Sequence, residues 1–200
     1  MWGQAAVPTD KATERSRLLE RFADRTVVNP DLDRRLVSYQ ADKEEPGYRW
    51  LRYKEAFSSS FVRYVLAKLA CRPGRLLDPF AGSGAALFAS AEAGWSSEGI
   101  EISPVATMAV RARLAAARVS RSNFEEALSL LLREYVPRDQ RGGALPHIAI
   151  TRHAYPPENE QAIAQYVRFC SRIPDPDVRL LFRFAGLSVL EECSYTRKDG

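Results

Sequence analysis

The stretch that most constrains the fold of this 200-residue chain is residues 75–104, R-L-L-D-P-F-A-G-S-G-A-A-L-F-A-S-A-E-A-G-W-S-S-E-G-I-E-I-S-P. Leu76 and Leu77 form a short apolar run that stops at Asp78-Pro79. Residues 80–84 crowd small residues into a turn, and an alanine-rich run follows over 85–93. Gly94 ends that run, as glycine commonly does just past a helix. Residues 98–100 re-enter a strand, with Glu101 at its C-terminal edge. The order is strand, glycine turn, helix, strand. Such a turn lets a ligand approach the backbone closely, and the helix N-terminus offers unpaired N–H groups to an anion. An acidic residue about 20 positions on, at the end of the next strand, is placed to accept both hydroxyls of a ribose. The stretch predicts a nucleoside-bearing ligand at the C-terminal ends of parallel strands.

The pattern is not the nicotinamide fingerprint, since no G-x-G-x-x-G occurs, and no Walker lysine follows Ser83. Asp78, Pro79, Phe80, Gly82, Ser83 and Gly84 instead resemble the cofactor motif of S-adenosylmethionine-dependent methyltransferases. The likeness is strongest to the DNA amino-methyltransferases, which modify the exocyclic amine of adenine or cytosine. Residues 99–104, G-I-E-I-S-P, resemble that family's next motif, with Glu101 in the ribose-binding place and Ile102 beside it. The resemblance covers roughly residues 29–200 and is specific chiefly over 77–104. It implies S-adenosyl-L-methionine as cofactor, DNA as partner and a restriction-modification setting. It also implies an α/β, Rossmann-like methyltransferase fold: a mainly parallel sheet with helices on both faces, here incomplete, plus a helical segment near the C-terminus. The same family carries an aromatic-rich segment leading into Phe-Ser and a helix, beside the methionine end of the cofactor. Phe57 and Ser58 fill those positions here; an aromatic cluster that only packs in the core is the other reading.

The remaining chain sorts into three regions: an extension over 1–47, the cofactor half over 48–136, and a helical insertion over 137–200. Thr9 or Asp10 is a cap for a helix to about residue 23 with Leu18, Leu19 and Phe22 on one face. Residues 26–28, 36–39 and 148–150 read as short strands. A helix capped near 58–60 carries Phe61, Val62, Val65, Leu66 and Leu69 at helical spacing. Ser103 caps a helix through about 118, with Pro104 in its first turn. Its small residues suit packing on a sheet, and its arginines read as a solvated face. Ser122 with Glu125 forms a capping box for the next helix. Residues 137–146 read as a flexible joint, and two helices follow, the second capped by Asp175 with Pro176 first.

The family's catalytic motif is Asp, Asn or Ser, then Pro-Pro, then an aromatic residue. Tyr155-Pro156-Pro157 has the aromatic residue on the wrong side, so it reads as a stop ahead of a helix that runs from about Glu158 to Arg172. No catalytic residue is assigned. The resemblance places the catalytic half beyond Gly200 or on a partner chain, so the isolated chain is expected to be inactive and to self-associate or require a partner. Two other functions fit the motif: an RNA guanine methyltransferase, and a non-catalytic cofactor-binding or scaffold subunit. The three cysteines, Cys71, Cys170 and Cys193, are far apart, and His147 and His153 lack partners at ligand spacing. These features predict a reducing, cytoplasmic setting and no metal site. No apolar run approaches the length of a membrane span, and the net charge of +4 suits a nucleic-acid partner weakly.

Overall fold

The computed structural model describes residues 11–27, 29–53, 56–69, 72–134 and 145–196. Val28, Cys71, the Thr9 or Asp10 cap, residues 137–144 of the expected joint and tail residues 197–200 lie outside them. The chain divides into two compact units, one up to Asp33 and one from Arg34 onward. Segments 48–134 and 145–196 fall within the second unit.

In the first unit, helix α1 (Lys11–Arg21) leads into a 3-10 turn (Ala23–Arg25). Leu18, Leu19 and Phe22 are exposed. Thr26 and Val27 belong to no strand: the Thr26 hydroxyl donates back to the Phe22 carbonyl and closes the helix end.

The second unit opens with the short helix α2 (Arg34–Val37) and a 3-10 turn (Tyr39–Asp42), where the sequence predicts a strand. Ser38 is the reason. Its hydroxyl donates to the Arg34 carbonyl at 2.7 Å and accepts from the Gln40 amide at 3.4 Å, stitching the two turns together. A further 3-10 turn (Tyr48–Trp50) precedes α3 (Ser59–Leu69), β1 (Arg75–Asp78), α4 (Ala85–Glu92), β2 (Ser96–Gly99) and α5 (Pro104–Ala116). After these come α6 (Arg121–Glu134), a 3-10 turn (Ala149–Thr151), α7 (Pro157–Arg172) and α8 (Pro176–Ser188).

The architecture is α/β, with a parallel two-stranded sheet among the described residues. Arg75 pairs with Ser96, Leu76 with Ser97, Leu77 with Glu98 and Asp78 with Gly99. Val62 and Leu66 of α3, Ala86 and Ala89 of α4, and Leu76 of β1 close over one sheet face. The opposite face carries Leu77, 65% exposed, and the exposed Arg75–Glu98 ion pair. The expected cover of helices on both faces is therefore one-sided among the described residues.

The small-residue face of α5 meets α8 rather than the sheet. Ala109 and Ala112 admit Phe184, with Leu51, Met108, Leu180, Leu181 and Leu187 around it. A methyl-sized surface lets the helices approach closely enough for that ring to fill the space between them. Arg118 locks the far end by a bidentate pair with Asp177. A third cluster joins α6, α7 and α8 through Ala127, Phe169, Cys170, Ile173, Val178 and Phe182.

Three local expectations are corrected. The cap of α6 is Ser120, whose hydroxyl accepts from the Asn123 amide; the helix starts at Arg121, which leaves Ser122 inside its first turn. Residues 148–150 are not a strand, because Ile148 and Thr151 bond each other and close a 3-10 turn. Pro157, not Glu158, opens α7. Two caps stand where the sequence places them: Ser103 accepts from the Ala106 amide, and Asp175 from the Asp177 and Val178 amides.

Candidate functional site

The site grows from the two strand ends. At the end of β1 the Asp78 carboxylate accepts from the Phe80 amide at 3.0 Å, a short side-chain turn that throws the chain away from the sheet. The Ile100 amide donates to the Asp78 carbonyl at 2.9 Å and the Ala81 amide to the Ile100 carbonyl at 3.0 Å. The loop 79–84 is thereby sewn to the segment leaving β2.

Gly84, with φ 86°, turns the chain into α4. A Cβ there would stand 2.9 Å from Phe88 Cε2 and from Val110 Cγ2, so the position has room only for glycine. At the other end of α4, Gly94 (φ 82°) follows the helix, and the Trp95 amide donates to the Ser90 carbonyl.

Glu101 ties turn to strand. Its Oε2 accepts from the Gly82 amide at 2.7 Å and its Oε1 from the Ser103 amide at 2.6 Å. These bonds, that to Ser103 foremost and one from the Ile102 amide as well, hold its carboxyl below the usual carboxylate range, against a smaller opposing effect of burial. An ionised carboxylate has about four lone-pair sites, so acceptor capacity remains for a ligand's hydroxyls.

A cleft of about 590 Å³ lies above this carboxylate. Tyr53, Ala56 and Phe57 form one wall, Pro79 to Gly82 and Ala85 another, and Ile100 to Ile102 the third. Phe80 and Ile102 are 87% and 94% exposed. The cleft thus joins apolar and aromatic walls to one fixed anionic acceptor, the composition that suits a small polar–aromatic ligand.

Of the residues singled out in the sequence, Phe57, Pro79, Phe80, Gly82, Glu101 and Ile102 line this cleft. Asp78 and Gly84 shape the turn beneath it. Ser83 borders a small void with Tyr39, Asp42 and Arg113 instead. Ser58 is not among the residues that line the cleft. It is fully buried, donates to the Leu36 carbonyl and accepts from the Phe61 amide at 3.0 Å as the cap of α3. Among the cleft residues the sequence does not single out is Tyr53: it lies against Gly82, and no periodicity distinguishes it from Trp50 nearby.

Comparison with known proteins finds relatives of this chain. The Type II methyltransferase M.AvaI of Nostoc sp. is 38% identical over 189 residues, covering 92% of this chain. The enzyme of the same name from Anabaena variabilis matches equally. Over 92% of its length the chain is related to Type II methyltransferases. M.BsoBI of Geobacillus stearothermophilus, also a Type II methyltransferase, is 30% identical over 190 residues, or 94% of the chain. The chain spans 38% of the length of the two 38%-identical relatives and 37% of M.BsoBI. No family model and no solved structure matches it. Among the described residues no helix is long and apolar enough to cross a membrane, and no group of three or more His, Cys, Asp or Glu is placed to hold a metal ion.

Proposed function

We propose that this chain is the S-adenosylmethionine-binding part of a DNA methyltransferase that modifies the exocyclic amine of adenine or cytosine. The observation that carries the proposal is Glu101, held by the Gly82 and Ser103 amides at the floor of an aromatic-walled cleft beside a glycine turn. The residues fit the cofactor's chemistry. Glu101 would take the ribose hydroxyls, and Phe80, Ile102 and Phe57 offer apolar surface to the purine and the methionine chain. The 79–84 turn and the start of α4 would face the amino-acid end. The cofactor supplies an electrophilic methyl group; this chain supplies its binding and orientation. The similarity to Type II methyltransferases favours DNA over the guanine of an RNA as the methyl acceptor.

A Rossmann-like sheet has further strands, which would pair at the open edges, and a second helical layer, which would pack on the bare face at Leu77 and Glu98. The same polypeptide or a partner chain would supply them, with the Pro-Pro-aromatic motif that positions the flipped base. The pure chain is expected to bind S-adenosylhomocysteine in calorimetry and to transfer no labelled methyl group to DNA. Absence of binding refutes the cofactor assignment, and measurable transfer refutes the division of labour.

A further inference from the structure

The wall of the cleft bearing Tyr53 and Phe57 belongs to a strap, residues 39–53 with Ala56 and Phe57, that lies outside the glycine motif. The Tyr39 amide donates to the Ala56 carbonyl at 3.1 Å, closing the strap on itself. Buried Asp42 pins it to α3: one carboxylate oxygen accepts from the Ser59 amide at 2.9 Å, the other from the Ser59 hydroxyl at 2.7 Å.

A third tie runs to the helix that leaves the glycine turn. The Arg113 guanidinium of α5 lies 3.8 Å from the centre of the Tyr48 ring in the strap and 4.0 Å from that of Phe88 in α4. It donates to Glu92 Oε1 at 2.9 Å. The Tyr48 hydroxyl donates to the same oxygen at 3.0 Å, and Arg63 of α3 to the other at 2.8 Å. The Arg113 side chain is 17% exposed, so its attraction to the two rings is little screened by water. The knot thus joins the strap and α3 to α4, the helix that follows the glycine turn, and to α5.

We infer that Arg113 is a positioning residue for the cleft: clamped between Tyr48 and Phe88, it sets the separation between the Tyr53–Phe57 wall and the Gly82–Gly84 turn. The inference rests on the reading that this cleft takes S-adenosylmethionine. A planar guanidinium is required, because only a flat cation fills the gap between two ring faces while reaching Glu92; lysine keeps the charge and loses the plane.

The test uses the full 200-residue chain and S-adenosylhomocysteine as the probe. Arg113→Lys is expected to weaken binding about tenfold, the scale of one desolvated cation–ring contact. It should also speed amide exchange in residues 39–53 without speeding exchange in α8. Arg118→Ala, which breaks the Asp177 pair just past the end of α5, is expected to lower the melting temperature and leave affinity unchanged. Should Arg113→Lys fail to fold, Tyr48→Leu removes the strap's half of the clamp and is expected to behave alike. Wild-type affinity in Arg113→Lys or Tyr48→Leu overturns the inference. If the wild-type chain itself does not bind the probe, the cofactor reading falls, and exchange measured without ligand still decides the clamp: unchanged exchange in Arg113→Lys overturns it.

Discussion

Replacing Gly84 by alanine should damage both stability and binding, and the structure sets the scale. Two costs add. The backbone at φ 86° is left-handed, which costs an L-residue about 1–2 kcal/mol. The new Cβ would also lie 2.9 Å from Phe88 and Val110 side-chain carbons, well inside the roughly 3.5–4.0 Å of an ordinary contact. Phe88 cannot swing away freely, because Arg113 lies on its ring. Overpacking of this kind costs about 1–3 kcal/mol, giving roughly 2–5 kcal/mol in all. Gly94 supplies the internal reference. It has nearly the same backbone, φ 82°, but a Cβ there would meet only Pro73 Cγ at 3.8 Å. Gly94→Ala should therefore cost only the backbone part, about 1–2 kcal/mol. Urea unfolding followed by far-ultraviolet circular dichroism measures both, provided the denaturant slope is unchanged. S-adenosylhomocysteine affinity should fall for Gly84→Ala alone. Equal losses of stability in the two variants would refute the packing argument, and full affinity in Gly84→Ala would refute the claim that the turn is shaped for a ligand.

Glu101→Gln keeps the size of the side chain but replaces an acceptor-only group by one that also donates; affinity for S-adenosylhomocysteine should drop about 10- to 100-fold, and unchanged calorimetry would remove Glu101 from the site. Because the folded carboxyl titrates below its ordinary 4.5, the tie it makes contributes stability above that value. That contribution is lost as pH falls through the depressed folded value, so acid titration should show a loss in wild type that is smaller in Glu101→Gln. Ser58→Ala should cost about 1–2 kcal/mol as a lost cap while leaving cofactor affinity intact; reduced affinity at unchanged stability would return Ser58 to the cleft. Phe184→Ala empties the seam between α5 and α8 and should cost about 3–5 kcal/mol in chemical denaturation; a loss below about 1 kcal/mol would show that Phe184 does not fill that seam.

The helices and the glycine motif were legible because their determinants are local. Ser103 before Pro104, Asp175 before Pro176 and the small residues of 81–86 each act within a few positions. The failures share the opposite property. Residues 36–39 alternate like a strand, but a strand needs an edge to pair with, and Ser38 offers the backbone nearer partners. The small face of α5 suits any close neighbour, and only the tertiary fold selects Phe184 over a sheet. Within the site, Glu101 and the turn were readable from spacing. Tyr53, and the burial of Ser58, depend on where residues 34–53 lie across the unit, which no periodicity in that segment encodes.

Among the described residues the apolar interior of the second unit forms three separate clusters, and the one beneath the glycine turn is small: Val62, Ala86 and Ala89, with Leu66 and Leu76 at its margin. The molecule should then open in stages, with amides of β1 and α4 exchanging through partial unfolding while those of α7 and α8 wait for global opening. A ligand held by both Glu101 and the turn would add about 2.7 kcal/mol at a hundredfold excess over its dissociation constant. It would add this where the native contacts are thinnest. Occupancy would thus even out the melting hierarchy, and the bound molecule would serve the scaffold as a fourth nucleus of cohesion.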